Sequence, residues 1–129
     1  MVRIIDEVDK FLTHNGIELT DIDGFYNTDT NRLLLLENPS EANSKRYQDG
    51  SRSGEFSFSL QSKRKSKVDC IEKLTEIETI LDVPTYFEID RFILKTIDIV
   101  QSAHPILKDE NNNMIYASDF KLTYYLDKE

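Results

Sequence analysis

Few residues in this 129-residue chain could carry chemistry, and their spacing decides what they could do. Asp109-x-Asn111-x-Asn113 opens like a calcium loop, in which oxygen ligands recur at alternate positions. Such a loop needs glycine at its sixth position and a bidentate glutamate at its twelfth. Met114 and Phe120 stand there instead, so the run reads as a polar hairpin turn, with a weak surface cation site as the alternative. His14 and His104 are the only histidines and Cys70 the only cysteine, which leaves no spaced ligand set for structural zinc. His104 precedes Pro105, so its backbone is biased to an extended conformation, and it reads as a loop or strand-end residue rather than a general base. Cys70 needs an activating imidazole to act as a nucleophile; beside an apolar helical stripe it reads as a buried, inert thiol. No Gly-rich phosphate loop, nucleophile elbow or His-Glu-x-x-His occurs among only four glycines. The residues therefore predict no cofactor, no metal and no enzyme, and they leave an unrecognised Cys70/His104 enzyme as the minor alternative.

The remaining chemical feature is Lys63-Arg64-Lys65-Ser66-Lys67, the one basic cluster in a chain of net charge −8. Contact with DNA is one reading. The other is a solvated corner or an intersubunit salt bridge, since phosphate grips usually carry further basic or aromatic interleaving. The acidic balance disfavours attraction of the whole molecule to DNA or to an anionic membrane. One cysteine, no signal peptide and no apolar run near the ~20 residues of a membrane span predict a protein made in a reducing cytoplasm.

These residues need a scaffold, and a length of 129 residues predicts one domain. Residues 2–13 place Ile4, Ile5, Val8, Phe11 and Leu12 on one helical face, closed by His14-Asn15-Gly16. Residues 17–29 read as a connector with Phe25-Tyr26 as its anchor, and the run 33–36 as a short buried strand. Residues 39–54 are nearly all polar around Tyr47 and predict a mobile loop, whose length suggests partner contact. Phe56, Phe58 and Leu60 alternate with serines in the clearest strand. Ser66 reads as the cap of a second helix with a stripe of Val68, Ile71, Leu74, Ile77, Ile80 and Leu81, ending before Pro84. Residues 92–100 and 114–126 read as strands joined by the turn at 109–113. The prediction is an α+β domain: an antiparallel or mixed sheet of about four strands with two helices on one face.

The stretch 97–124 resembles the ending of the minor capsid and tail-terminator proteins of long-tailed bacteriophages and prophages. It has a strand, a small-residue-plus-Pro turn at Ser102-Ala103-His104-Pro105, an Asp-rich hairpin and a last strand with Phe120, Leu122 and Tyr124. The upstream order of elements is similar across nearly the whole chain. The hairpin departs from the usual pattern, because Asn112-Asn113 replaces its glycine; Asn still tolerates the positive φ of a tight turn.

The resemblance implies a structural virion protein. It implies a ring, hexameric in long-tailed phages, that ends tail-tube polymerisation and joins the tail to the head connector. The expected partners are further copies of this chain, the tail-tube protein and the connector or neck proteins, with DNA only in the lumen and no membrane. The expected location is the virion, with assembly in the host cytoplasm. A neck or head-completion protein is the nearest alternative, and a small DNA-contacting adaptor a more distant one. The contact residues implied are Tyr47 and Arg52 in the polar loop, Lys63, Arg64, Lys65 and Lys67 at the basic corner, and Asp109 and Asn112 in the hairpin.

Overall fold

A computed structural model describes residues 4–22, 24–25, 30–38, 44–82, 87–89 and 91–127. Their order is α1 (Ile4–His14), β1 (Asp21–Ile22), β2 (Arg32–Glu37), β3 (Ser44–Arg46), β4 (Arg52–Arg64), α2 (Lys67–Asp82), β5 (Phe87–Ile89), β6 (Phe92–Lys108) and β7 (Met114–Leu126). The fold is α+β. Its sheet is mixed: strands run β1-β2-β4-β7-β6-β5, β1 is parallel to β2, and β3 pairs with β4 off this path. Seven strands replace the expected four, because β1, β3 and β5 are two or three residues long and too short to show a period.

Alternation builds the centre of the sheet. β4 and β7 run antiparallel over their whole length, with Phe56 opposite Leu122, Phe58 opposite Phe120 and Gly54 opposite Tyr124. These side chains share one face with Leu33 and Leu35 of β2 and Phe92 and Leu94 of β6, and together they form the core. Phe58 and Phe120 stack at 5.3 Å in its middle. Gly54 has a specific duty there: a Cβ at this position would lie 2.7 Å from the Tyr124 hydroxyl, so the missing side chain is what lets the Tyr124 ring lie across the strand.

Both helices feed the same core. α1 buries Ile5, Val8, Phe11 and Leu12, and Phe11 meets Phe87 edge-on at 5.3 Å. Its end is a Schellman closure: the Ile17 amide donates to the Leu12 carbonyl at 2.9 Å and the Gly16 amide to Thr13 at 3.0 Å, with Gly16 at φ 80°. α2 starts at Ser66, whose Oγ accepts weakly from the Asp69 amide at 3.5 Å. The α2 stripe differs from the expected one at Val68. Cys70, Leu74, Ile77 and Leu81 face the core, whereas Val68 is 59% exposed.

Two loop expectations are corrected. Within 39–54, β3 and the first residues of β4 form a hairpin closed by the Tyr47 amide on the Ser51 carbonyl, with Asp49 accepting from the Ser51 amide and hydroxyl and Gly50 at φ 91°; residues 39–43 lie outside the described set. Likewise Ser102-Ala103-His104-Pro105 is no turn but continues β6, with register shifts between Ile99 and Gln101, Gln101 and His104, and Pro105 and Leu107. Bulges absorb extra residues without ending a strand, and a proline is tolerated at a bulge or a sheet edge. Tyr26 and Pro84 also lie outside the described residues.

Candidate assembly surface

Lys63 stands apart from the rest of the basic run. Side chains alternate along β4, so Lys63 falls on the face opposite the core. There it is 3% exposed, with its ammonium 4.5 Å from the centre of the Phe25 ring. Arg64 donates to Asn31 Oδ1 at 3.1 Å and to Ser62 Oγ at 3.1 Å, and the exposed Lys65 donates to the Asn111 carbonyl at 3.0 Å. Lys67 is exposed at the start of α2. The expected basic corner loses Lys63 to burial and retains Arg64, Lys65 and Lys67.

The β6–β7 turn is built as expected. Asp109 Oδ1 accepts from the Asn111 amide at 2.9 Å and the Asn113 amide at 2.8 Å, Asp109 Oδ2 accepts from Asn113 Nδ2, and Asn112 takes φ 63°. Partial desolvation pushes the Asp109 carboxyl up, but these donors outweigh it and hold it below the ordinary aspartate range. Both carboxylate oxygens are thus engaged by the turn itself. Among the described residues no group of three or more His, Cys, Asp or Glu is arranged to hold a metal ion.

Apart from the buried Lys63, the implied contact residues separate into two places. Arg64, Lys65, Lys67, Asp109 and Asn112 gather where β4, α2 and the β6–β7 turn meet, since Arg64 lies opposite Met114. Arg52 lies opposite Leu126 at the far end of the same strand pair, about 40 Å away at the usual strand rise. Tyr47, 48% exposed, sits at that far end 6.5 Å from the Tyr125 ring, and Lys95 covers the same ring at 5.6 Å.

Cys70 and His104 lie on opposite sides of the sheet. Cys70 Sγ sits among core residues and donates to the carbonyls of Met114 at 3.3 Å and Ser62 at 3.5 Å, and burial pushes its pKa up. His104 is on the other face, 3.8 Å from Asp119, with Nδ1 2.9 Å from the Ser102 carbonyl. The sheet therefore separates this thiol from this imidazole. A disulfide reagent is expected to label Cys70 in the folded protein at least about a thousandfold more slowly than in denaturant, because labelling must await opening of the core. Rapid labelling of the native protein would show an accessible thiol. Cys70→Ser should fold, since the hydroxyl can donate to the same carbonyls.

The surface that sequence reasoning missed is the outer edge of β6. β5 pairs only with Phe92, Ile93 and Leu94, and beyond them no described strand lies against β6 as far as Lys108. Along this stretch Val100 is 65%, Leu107 54%, Ile106 43% and Ile99 36% exposed. Beside it, a groove of about 510 Å³ opens between α2 and β6, lined by Ile71, Ile99 and Ala103 together with Glu78, Asp82 and three hydroxyl residues. The available signal was the adjacent pair Ile99-Val100, which breaks the polar–apolar alternation of Thr96, Ile97, Asp98 and Ile99. No helix among the described residues is long and apolar enough to cross a membrane. Comparison of the sequence with protein-family models gives no match, and comparison with curated proteins gives none.

Proposed function

We propose that this chain is a structural subunit that assembles with copies of itself, and that its assembly is the ring of a tail terminator at the head-proximal end of a long phage tail. The observation that carries the reading is the free edge of β6, some 14 residues in length from Lys95 to Lys108, with large aliphatic side chains beside it. A long apolar edge of this kind is a template for joining another chain. The bulges and Pro105 interrupt its hydrogen-bond pattern, which disfavours indiscriminate strand addition and favours one matched partner.

Ring closure requires heterologous contacts, in which one patch of a subunit meets a different patch of the next. The chain offers such distinct patches: the β6 edge and its groove on one side, and the corner of Arg64, Lys65 and Lys67 at the end of β4. On this reading the ring stops growth of the tail tube and presents its other face to the connector. The DNA-adaptor alternative is left with the exposed Lys65 and Lys67, because Lys63 is buried and Arg64 is hydrogen-bonded to Asn31 and Ser62.

The test is electron microscopy of the purified chain mixed with its tail-tube protein. Closed rings capping tubes of limited length are expected. Uncapped tubes and a chain that never associates with them would end the proposal.

A further inference from the structure

The C-terminal end of α2 carries charge of the wrong sign for a helix standing alone, and its N-terminal end is mixed, with Asp69 in the first turn beside flanking lysines. Lys65 and Lys67 flank its N-terminal end, where the backbone dipole is positive, and Glu78 and Asp82 occupy its last turns, which hold no basic residue. Lys67 and Asp82 are separated by about 22 Å along the helix, so the lysines of one molecule cannot reach the carboxylates of the same helix. Glu78 is only 8% exposed, faces the α2–β6 groove, and has no hydrogen bond or ion pair among the described residues. Its carboxylate oxygens are not fully buried, so they can meet a cation brought to the groove from outside. Beside the lysines stands Val68, 59% exposed, while Ile71, Ile99 and Ala103 line the groove. The chain thus contains an exposed Val68 with Lys65 and Lys67 on its N-terminal side and Asp69 and Glu72 on the other, and a groove that carries Glu78 and Asp82 beside its aliphatic residues.

We propose that the Val68 knob of one copy docks into the α2–β6 groove of a second copy, with Val68 on Ile71, Ile99 and Ala103 and Lys65 and Lys67 against Glu78 and Asp82. The inference rests on the self-assembly reading and names its contact. Val68 and Ile71 lie three residues apart on one face of α2, so the contact either closes reciprocally between two antiparallel helices or runs in one direction and leaves a free knob and a free groove to continue the chain. The pairing offsets the unfavourable placement of charge at the C-terminal end of the helix and overcomes, locally, the repulsion between two acidic chains.

The test is a charge exchange followed by sedimentation velocity. One variant carries Asp82→Lys and the other Lys65→Glu with Lys67→Glu; all three side chains are exposed, so thermal melts should match the parent. Each variant alone is expected to self-associate at least about tenfold more weakly than the parent, since like charges then face each other. An equimolar mixture should recover parental association, and Glu78→Gln should weaken it as well. Recovery that stops at dimers would keep the contact and remove the ring. Variants that associate like the parent would overturn the contact while leaving ring formation to another surface. A parent that stays monomeric at every concentration would remove both.

Discussion

Replacing Phe58 by alanine is expected to cost about 3–5 kcal/mol, a large part of the ~5–15 kcal/mol that stabilises a domain of this size. Phe58 is fully buried, lies directly opposite Phe120 with ring centres 5.3 Å apart, and contacts Phe56 at 6.0 Å. Truncation removes the middle of this aromatic row from strands that are paired on both sides, so the backbone cannot collapse into the space. The loss combines forfeited burial with an unfilled cavity. Denaturant titration should show a lower midpoint with an unchanged slope. Phe58→Leu, which refills most of the volume, should cost clearly less. A Phe58→Ala protein as stable as the parent would mean that the β4–β7 centre is not the core.

The second large effect is expected at Arg32. Its Nε and Nη2 each donate at 2.9 Å to the two oxygens of Asp21, whose side chain is fully buried. The Thr20 hydroxyl lies 2.8 Å from the same carboxylate, and the Leu33 amide donates to that hydroxyl at 2.8 Å. This network joins β1 to β2, an attachment made over only two residue pairs. Arg32→Ala leaves a buried carboxylate without its bidentate cation, a change that costs about 3–5 kcal/mol where a buried pair is broken from one side. Lysine cannot supply the planar fork, so Arg32→Lys should recover only part of the loss. Hydrogen exchange should show the β2 amides losing protection before those of β4 and β7. Uniform protection in Arg32→Ala would show that the β1–β2 attachment does not depend on this pair.

How much of this was legible beforehand follows from periodicity. The Phe56/Phe58/Leu60 and Phe120/Leu122/Tyr124 alternations have period two over enough residues to specify both the strand and its buried face, and β4 and β7 carry them. α1 and α2 were legible from their apolar spacing and from the residues that end or begin them, His14-Asn15-Gly16 and Ser66. Burial of Cys70, Leu74, Ile77 and Leu81 was legible, but several apolar residues lie around that helix, and only the neighbouring sheet leaves Val68 outside the buried face. β1, β3 and β5 exist because a longer strand lies beside each of them, a fact that no local window contains. β6 passed through Pro105 because bulges at a sheet margin can accommodate a residue that lacks an amide proton.

The candidate surface was legible in its ingredients and not in its arrangement. The lysine cluster was visible, but the fate of Lys63 depends on strand parity and on the distant Phe25 ring. The exposed aliphatics of β6 looked like ordinary strand residues, since exposure is a property of what lies alongside.

The amino-acid order by itself determined the long periodic elements, the closures of the helices and the Asp109–Asn113 turn, because each depends on residues within a few positions of one another. Only the tertiary structure decided which strand ends the sheet, which lysine is buried and where Glu78 faces Ile99 across a groove. Those outcomes depend on contacts between segments far apart in the chain, where a side chain's burial and charge environment are set by its neighbours rather than by its own type.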